Sequence, residues 1–149
     1  LAPYQNYDRT TIENVRDCEV SFVENQALYD IVLSYASRVN EAAGWNFDID
    51  FVEPLQLTQY KKGNNYDWHQ DESEWHWNKR PTNKIRKISF TLLLNDDFTG
   101  GDFHLISQPV PMTPGQMIFF HSDDIHQVAH VEQGIRNSLV GWIQGTAWR

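Results

Sequence analysis

The sequence predicts a mainly β fold with flanking helices, and three observations lead there. Apolar and polar residues alternate at a period of two through most of the chain. Gly, Pro and Asn clusters cut those runs at short intervals, as in a sandwich or barrel. One long segment carries apolar residues at helical spacing, near the N-terminal end. No internal repeat, linker or low-complexity tract divides the chain, so residues 1–149 are expected to form one domain, long enough to bury a core.

The elements follow in order. Glu19 to Val23 alternates like a short strand. Asn25 suits an N-cap, and Leu28, Ile31, Val32, Tyr35, Val39 and Ala42 then recur on one helical face. Gly44 is a natural stop. Leu55 to Tyr60 alternates with period two, residues 61–65 (KKGNN) form a turn, and Tyr66 to Asp71 is the next strand. Ile85 to Leu94 is a long strand ending at Asn95. Asp102 to Ile106 follows a Gly pair, and Gln116 to Phe120 follows Pro114-Gly115. Ile125 to Val131 and Ile135 to Gln144 complete the set.

Composition narrows the function. The formal net charge is −8 and no basic stripe is present, so a nucleic-acid partner is not expected. Cys18 is the lone cysteine; it makes no internal disulfide and suits a reducing, cytoplasmic setting. No apolar run is long enough to span a bilayer and no secretory signal is visible, so no membrane partner is expected. A start at Leu1 rather than Met leaves room for a leader ahead of it.

The chemistry lies in His69-Gln70-Asp71, His126 and Arg136. Two imidazoles and a carboxylate can hold one face of an octahedral metal and leave the other open, the ligand pattern of non-haem Fe(II) oxygenases. On a strand, His69 and Asp71 point the same way, with Gln70 facing away. The triplet alone is weak, because His121-Ser122-Asp123 repeats it. Its meaning comes from the full order: the His-x-Asp strand, a Gly-Gly-led strand, a late His, and an Arg ten residues further on. Arg136 sits inside an apolar alternation with Ser138, Val140 and Trp142, where a buried guanidinium needs an anion. No nucleophile–base pair competes: Cys18 is far in sequence from every His, and no Ser occupies a nucleophile elbow.

Five stretches carry a family resemblance: 60–71 (YKKGNNYDWHQD), 86–95 (RKISFTLLLN), 100–105 (GGDFHL), 114–120 (PGQMIFF) and 125–143 (IHQVAHVEQGIRNSLVGWI). In this order, the segment from Leu55 to Trp142 resembles the catalytic core of Fe(II)- and 2-oxoglutarate-dependent dioxygenases. More narrowly it resembles the prolyl 4-hydroxylase group and the bacterial PKHD-type hydroxylases near it. The resemblance implies a double-stranded β-helix, the jelly roll shared with cupins, with helices on one sheet. It makes His69, Asp71 and His126 the iron ligands. It places Arg136 on the distal carboxylate of 2-oxoglutarate, with Ser138 and Tyr60 beside it. Leu93 stands where some relatives have a second tyrosine, keeping an apolar pocket wall without that hydroxyl. The resemblance also brings O2 and ascorbate, and a reaction in which decarboxylation to succinate and CO2 accompanies hydroxylation of an unactivated C–H bond.

The competing residues separate on the same pattern. The spacing to Arg136 favours His126 over His121 and His130; His130 then belongs near the pocket and His121 in a turn. His76 and His104 are expected to be structural or exposed. Trp142 stands where the nucleic-acid demethylase branch of this superfamily has a second arginine, which argues against that branch. Substrate recognition is expected around residues 72–84, where Trp75 and Trp77, with Trp68 and Tyr66, would set aromatic surface beside the metal, and Trp142 could add to it. Aromatics suit a prolyl residue in a peptide or protein. Two other readings stand beside this one, hydroxylation of a free amino acid or other small molecule, and a non-catalytic cupin-like binding protein. A binder could dispense with Asp71 or Arg136, and a metal cupin enzyme would usually show His-x-His, which is absent here.

Overall fold

The computed structural model describes residues 15–73 and 83–148. The strands are β1 (Arg16–Asp17), β2 (Glu19–Val23), β3 (Phe51–Val52), β4 (Leu55–Tyr60), β5 (Asn65–His69), β6 (Lys84–Leu93), β7 (Phe98–Gly100), β8 (Phe103–Leu105), β9 (Gln108–Pro109), β10 (Met117–His121), β11 (His126–Val128), β12 (Val131–Gly134) and β13 (Arg136–Thr146). A single helix, α1 (Gln26–Ala42), stands among the described residues where flanking helices were expected. No helix among them is long and apolar enough to cross a membrane.

All strand pairs are antiparallel. The larger sheet runs β10-β6-β13-β4-β2, with β3 on the far end of β13; the smaller runs β1-β5-β11-β8-β9; β12 and β7 form a two-stranded ribbon. The two main sheets face each other as a jelly roll. Tyr60 and Phe120 from the larger sheet pack with Phe103 and Val128 from the smaller one, closing an inner core. A second core lies on the outer face of the larger sheet, where Val32 and Ala36 of α1 meet Leu55, Ile88, Phe90 and Ile143.

The Asn25 side chain caps α1, accepting from the Leu28 N–H at 3.1 Å. Gly44 ends it with φ 71°. The buried stripe is Val32, Ala36 and Asn40. Ile31 and Tyr35 are about half exposed and Ala42 is on the surface, so the expected apolar face is turned. Asn40 explains the rotation. Its amide donates to the Phe47 carbonyl (2.9 Å) and accepts the Phe47 N–H (2.8 Å), pairing the loop as a strand would.

Two strand expectations change. Ile125 to Val131 is not one strand. After Val128 the chain leaves β5 and β8, and the segment from Val131 pairs β7 instead. The break is held by Ala129 N–H to the Asp102 carbonyl (2.9 Å) and Gly101 N–H to the His130 carbonyl (3.0 Å). The metal strand also stops early, at His69, because the Asp71 and Glu72 N–H groups both turn to the Ser122 carbonyl, each at 2.9 Å.

Removing the cap should leave the fold intact and lower its stability. Asn25→Ala is expected to cost about 1 kcal/mol, read as a shift of the urea unfolding midpoint at unchanged slope.

Candidate metal centre

The site begins at the pairing of β5 with β11, where His69 and His126 lie directly opposite each other. The ladder then slips. Val128 pairs with Tyr66, so β5 uses one residue more than β11 over the same stretch, a β-bulge. The bulge brings Tyr66 to the inner face with His69, although they are three residues apart. Their rings stack at 3.5 Å and 12°. Trp68 is carried to the outer face, 42 % exposed and 6.0 Å from the His104 ring. Trp68 is therefore not beside the metal ligands, and strict alternation fails here because of the extra residue.

Backbone carbonyls orient both imidazoles. His69 Nδ1 lies 2.7 Å from the Asp67 carbonyl, and His126 Nδ1 lies 2.9 Å from the Asp124 carbonyl. A carbonyl only accepts, so each Nδ1 carries a proton, which leaves Nε2 as the atom that the neutral ring offers a metal. Both Nε2 atoms face one carboxylate: His69 Nε2 is 3.3 Å from Asp71 Oδ1, and His126 Nε2 is 3.4 Å from Asp71 Oδ2. His69 Nε2 is buried and has no hydrogen-bond partner. With both rings neutral, three acceptors converge there, one of them charged. Burial opposes ionisation of Asp71, yet His126 and His69 hold its carboxyl well below the usual carboxylate range. Burial likewise opposes charge on His126, and Asp71 overcomes it, so the His126 pKa is raised. The field that draws a proton there also suits a divalent cation, and this donor set fits the facial triad.

Asp71 is fixed from several sides. Beyond its backbone bond to Ser122, its Oδ2 accepts from the Ser89 hydroxyl at 2.7 Å, and Ser89 Oγ lies 3.0 Å from Ser122 Oγ. The next residue, Glu72, is 2 % exposed and accepts the Arg86 N–H at 2.7 Å. Arg86 pairs with both Glu53 oxygens (2.7 and 2.8 Å), and its Nη1 reaches the Asp71 carbonyl at 3.4 Å. Its guanidinium lies 4.0 Å from the Trp142 ring centre.

Across the cleft, the pairing of β4 with β13 sets Tyr60 opposite Arg136 and Thr58 opposite Ser138. Arg136 is 2 % exposed. Its Nη1 donates to Ser138 Oγ (3.1 Å), its Nε is buried without a partner, and no carboxylate of the described residues pairs with it. Burial pushes its pKa down, with Tyr60 and Asp102 opposing. A buried guanidinium with an unmet N–H is an anion site in waiting. Burial also pushes the Tyr60 hydroxyl above its ordinary range, so it stays protonated and able to donate. Gly101, at φ 63°, passes close to this guanidinium: a Cβ there would stand 3.0 Å from Arg136 Cδ.

One cleft, partly open to solvent, joins both ends. Its walls include His69, Asp71, His126, Arg136, Ser138, Tyr60, Tyr66 and Trp142. Leu93 is buried but does not line it; Thr91 does. His130 is exposed rather than near the pocket. His121 ends β10 with its ring edge-on to Trp45 (4.5 Å) and Phe47 (5.0 Å), as part of the packing. Trp75, Trp77 and His76 lie outside the described residues. Sequence reasoning missed Ser89, Thr58 and Arg16. The first two carry a signal, as polar residues that break apolar strands; Arg16 carries none.

The comparisons with known proteins agree with this geometry. The model of the 2OG-Fe(II) oxygenase superfamily matches residues 55–144. A PKHD-type hydroxylase of Synechococcus sp. (strain CC9311) is 32 % identical over 117 residues, covering 70 % of this chain and 50 % of the relative. One from Thermosynechococcus vestitus is 30 % identical over 129 residues, covering 81 % and 55 %. The chain spans about half the length of the curated relatives it matches. Among solved structures, a Pseudomonas putida prolyl-4-hydroxylase superposes with TM-score 0.71 at 18 % identity, over 92 % of this chain and 76 % of that one. The viral collagen prolyl hydroxylase of Paramecium Bursaria Chlorella virus-1 gives 0.69 at 16 %, over 89 % and 81 %. At those identities the structures speak for the jelly-roll fold.

Ser89 touches Asp71 and no other member of the triad. Ser89→Ala is expected to weaken divalent-metal binding about tenfold while the unfolding midpoint moves little, measured by metal titration beside a denaturation curve.

Proposed function

Since the chain belongs to the 2OG-Fe(II) oxygenase superfamily, we propose that it is an Fe(II)- and 2-oxoglutarate-dependent hydroxylase acting on a prolyl residue of a peptide or protein, with release of succinate and CO2. One observation carries the reading. The trio of His69, His126 and Asp71, and a buried Arg136 with no carboxylate partner among the described residues, line the same cleft. The trio suits a divalent metal and the guanidinium a carboxylate, which are the two things this chemistry must hold together.

Held by His69, Asp71 and His126, Fe(II) would supply the O2 and C–H chemistry that no side chain here offers. The protein's part is placement. Arg136 pairs with the distal carboxylate of 2-oxoglutarate, and Ser138 orients that guanidinium. Tyr60 stands beside it with a proton to donate. Phe103, Phe120 and Val128 keep the wall apolar and shed water from the cleft. Ascorbate belongs to the proposal as the reductant that keeps the iron ferrous. The prolyl substrate is supported by the PKHD-type names of the relatives and the prolyl hydroxylases of similar fold. Tyr66 and Trp142 offer aromatic surface for such a ring.

Succinate formation from 2-oxoglutarate, with Fe(II) and ascorbate, tests the reading with and without proline-containing peptides. Metal-replete protein that neither binds nor decarboxylates 2-oxoglutarate would sink it. Asp71→Ala should abolish metal-dependent turnover in a folded protein, checked by circular dichroism. Arg136→Gln should raise the 2-oxoglutarate concentration for half-maximal turnover by about 10- to 100-fold, and an unchanged requirement would remove Arg136 from the co-substrate site.

A further inference from the structure

We propose that Arg16 is a second anion-binding point in the cleft and takes a carboxylate carried by the substrate. The inference rests on the hydroxylase reading and narrows its substrate class. Strand β1 has two residues, and its pairing with β5 sets Arg16 directly opposite Tyr66. The guanidinium lies 4.9 Å from the Tyr66 ring centre, and that ring stacks on His69 at 3.5 Å. Arg16 thus lines the cleft only two short steps from a metal ligand.

Its partners among the described residues include no carboxylate. Nη2 donates to Gln56 Oε1 at 2.9 Å, and Nε donates to Cys18 Sγ at 3.3 Å. The remaining electrostatic neighbours are the Tyr66 and Tyr60 hydroxyls. Nη1 has no acceptor among the described residues. Among the described residues the acids nearest in sequence are engaged elsewhere: Asp17 accepts from Asn64 (2.9 Å) and Glu19 pairs with Lys61 (2.7 Å). Arg86, by contrast, has both oxygens of Glu53.

The charged side chains that line the cleft are Asp71, Arg136 and Arg16; Asp102, the acid that acts on Arg136, is exposed and outside the lining. A divalent metal would offset the two carboxylates of 2-oxoglutarate and Asp71 one of the arginines, which leaves Arg16 as a positive charge on the cleft wall, where a fixed guanidinium fork favours a carboxylate. Steps of 4.9 Å to the Tyr66 ring and 3.5 Å on to His69 put the guanidinium within the reach of about two to three extended residues from a metal ligand. The substrate therefore carries its carboxylate on the hydroxylated residue or within about two residues of it. It is supplied by a free amino acid, by a chain end, or by an acidic neighbour in a peptide.

Paired probes test this on protein loaded with Zn(II) in place of iron and with 2-oxoglutarate. L-Proline is compared with prolinamide, acetylglycylproline with its amide, and acetylprolylaspartate amide with its asparagine counterpart, by calorimetry. At least one acid should bind about tenfold tighter than its neutral partner. Arg16→Gln should erase that gap, and Arg16→Lys should keep part of it. The pair that shows the gap identifies the source. A purely structural Arg16 would not distinguish acid from amide. No gap in the wild-type protein, which needs no variant to fold, overturns the proposal, as does a gap that survives Arg16→Gln. The same samples report 2-oxoglutarate binding. Its absence sinks the hydroxylase reading, whereas its presence without an acid preference sinks only the role of Arg16.

Discussion

Two backbone carbonyls, those of Asp67 and Asp124, decide what this cleft can do. Each takes the Nδ1 proton of an imidazole, and so each turns an Nε2 lone pair toward Asp71. Flip either ring and the cluster would hold a donor where it needs an acceptor. The carbonyls sit two residues before the histidines they orient, so the local backbone path sets the chemistry. That path in turn depends on the bulged pairing of β5 with β11, which sets His69 against His126 and fixes the distance between them.

The rest of the molecule divides into a scaffold and a lining. The outer core, with α1 laid on Leu55, Ile88, Phe90 and Ile143, keeps the larger sheet stiff. The inner core of Tyr60, Phe103, Phe120 and Val128 is shared with the cleft itself. Polar residues enter this apolar lining only in small satisfied groups. Thr58 with Ser138, and Ser89 with Ser122, each bring a hydroxyl pair to the buried charge they serve. Arg16 and Arg136 differ from these groups because neither pairs with a carboxylate of the described residues.

His69, Asp71, His126 and Arg136 were legible through residue types and spacing, while Tyr60 and Ser138 joined them through the family resemblance. The alternation of Leu55 to Tyr60 and of Ile135 to Gln144 marked two strands, and their pairing sets Tyr60 opposite Arg136. What stayed hidden depended on long-range pairing. Nothing local shows that β5 bulges, so Trp68 read as an inner residue. The partner switch at Ala129 and His130 follows from carbonyls and N–H groups on β8 and its approach, invisible to periodicity. The buried face of α1 was set by Asn40 binding a loop, which no count of apolar residues registers. Arg16, on a two-residue strand distant in sequence from the metal ligands, is legible only once β1 lies beside β5.

The turn from His121 to His126 links the ligands to one another. The Ser122 carbonyl holds Asp71 and Glu72, Asp124 orients His126, and Gln70 Nε2 donates to the Asp123 carbonyl at 2.6 Å. A single short turn therefore steadies the chain around Asp71 and sets the ring of His126. The triplet His121-Ser122-Asp123, which looked like a decoy copy of the metal motif, is a clasp: it ties the chain around Asp71 to the turn that carries His126, so two ligands from distant parts of the sequence share one support.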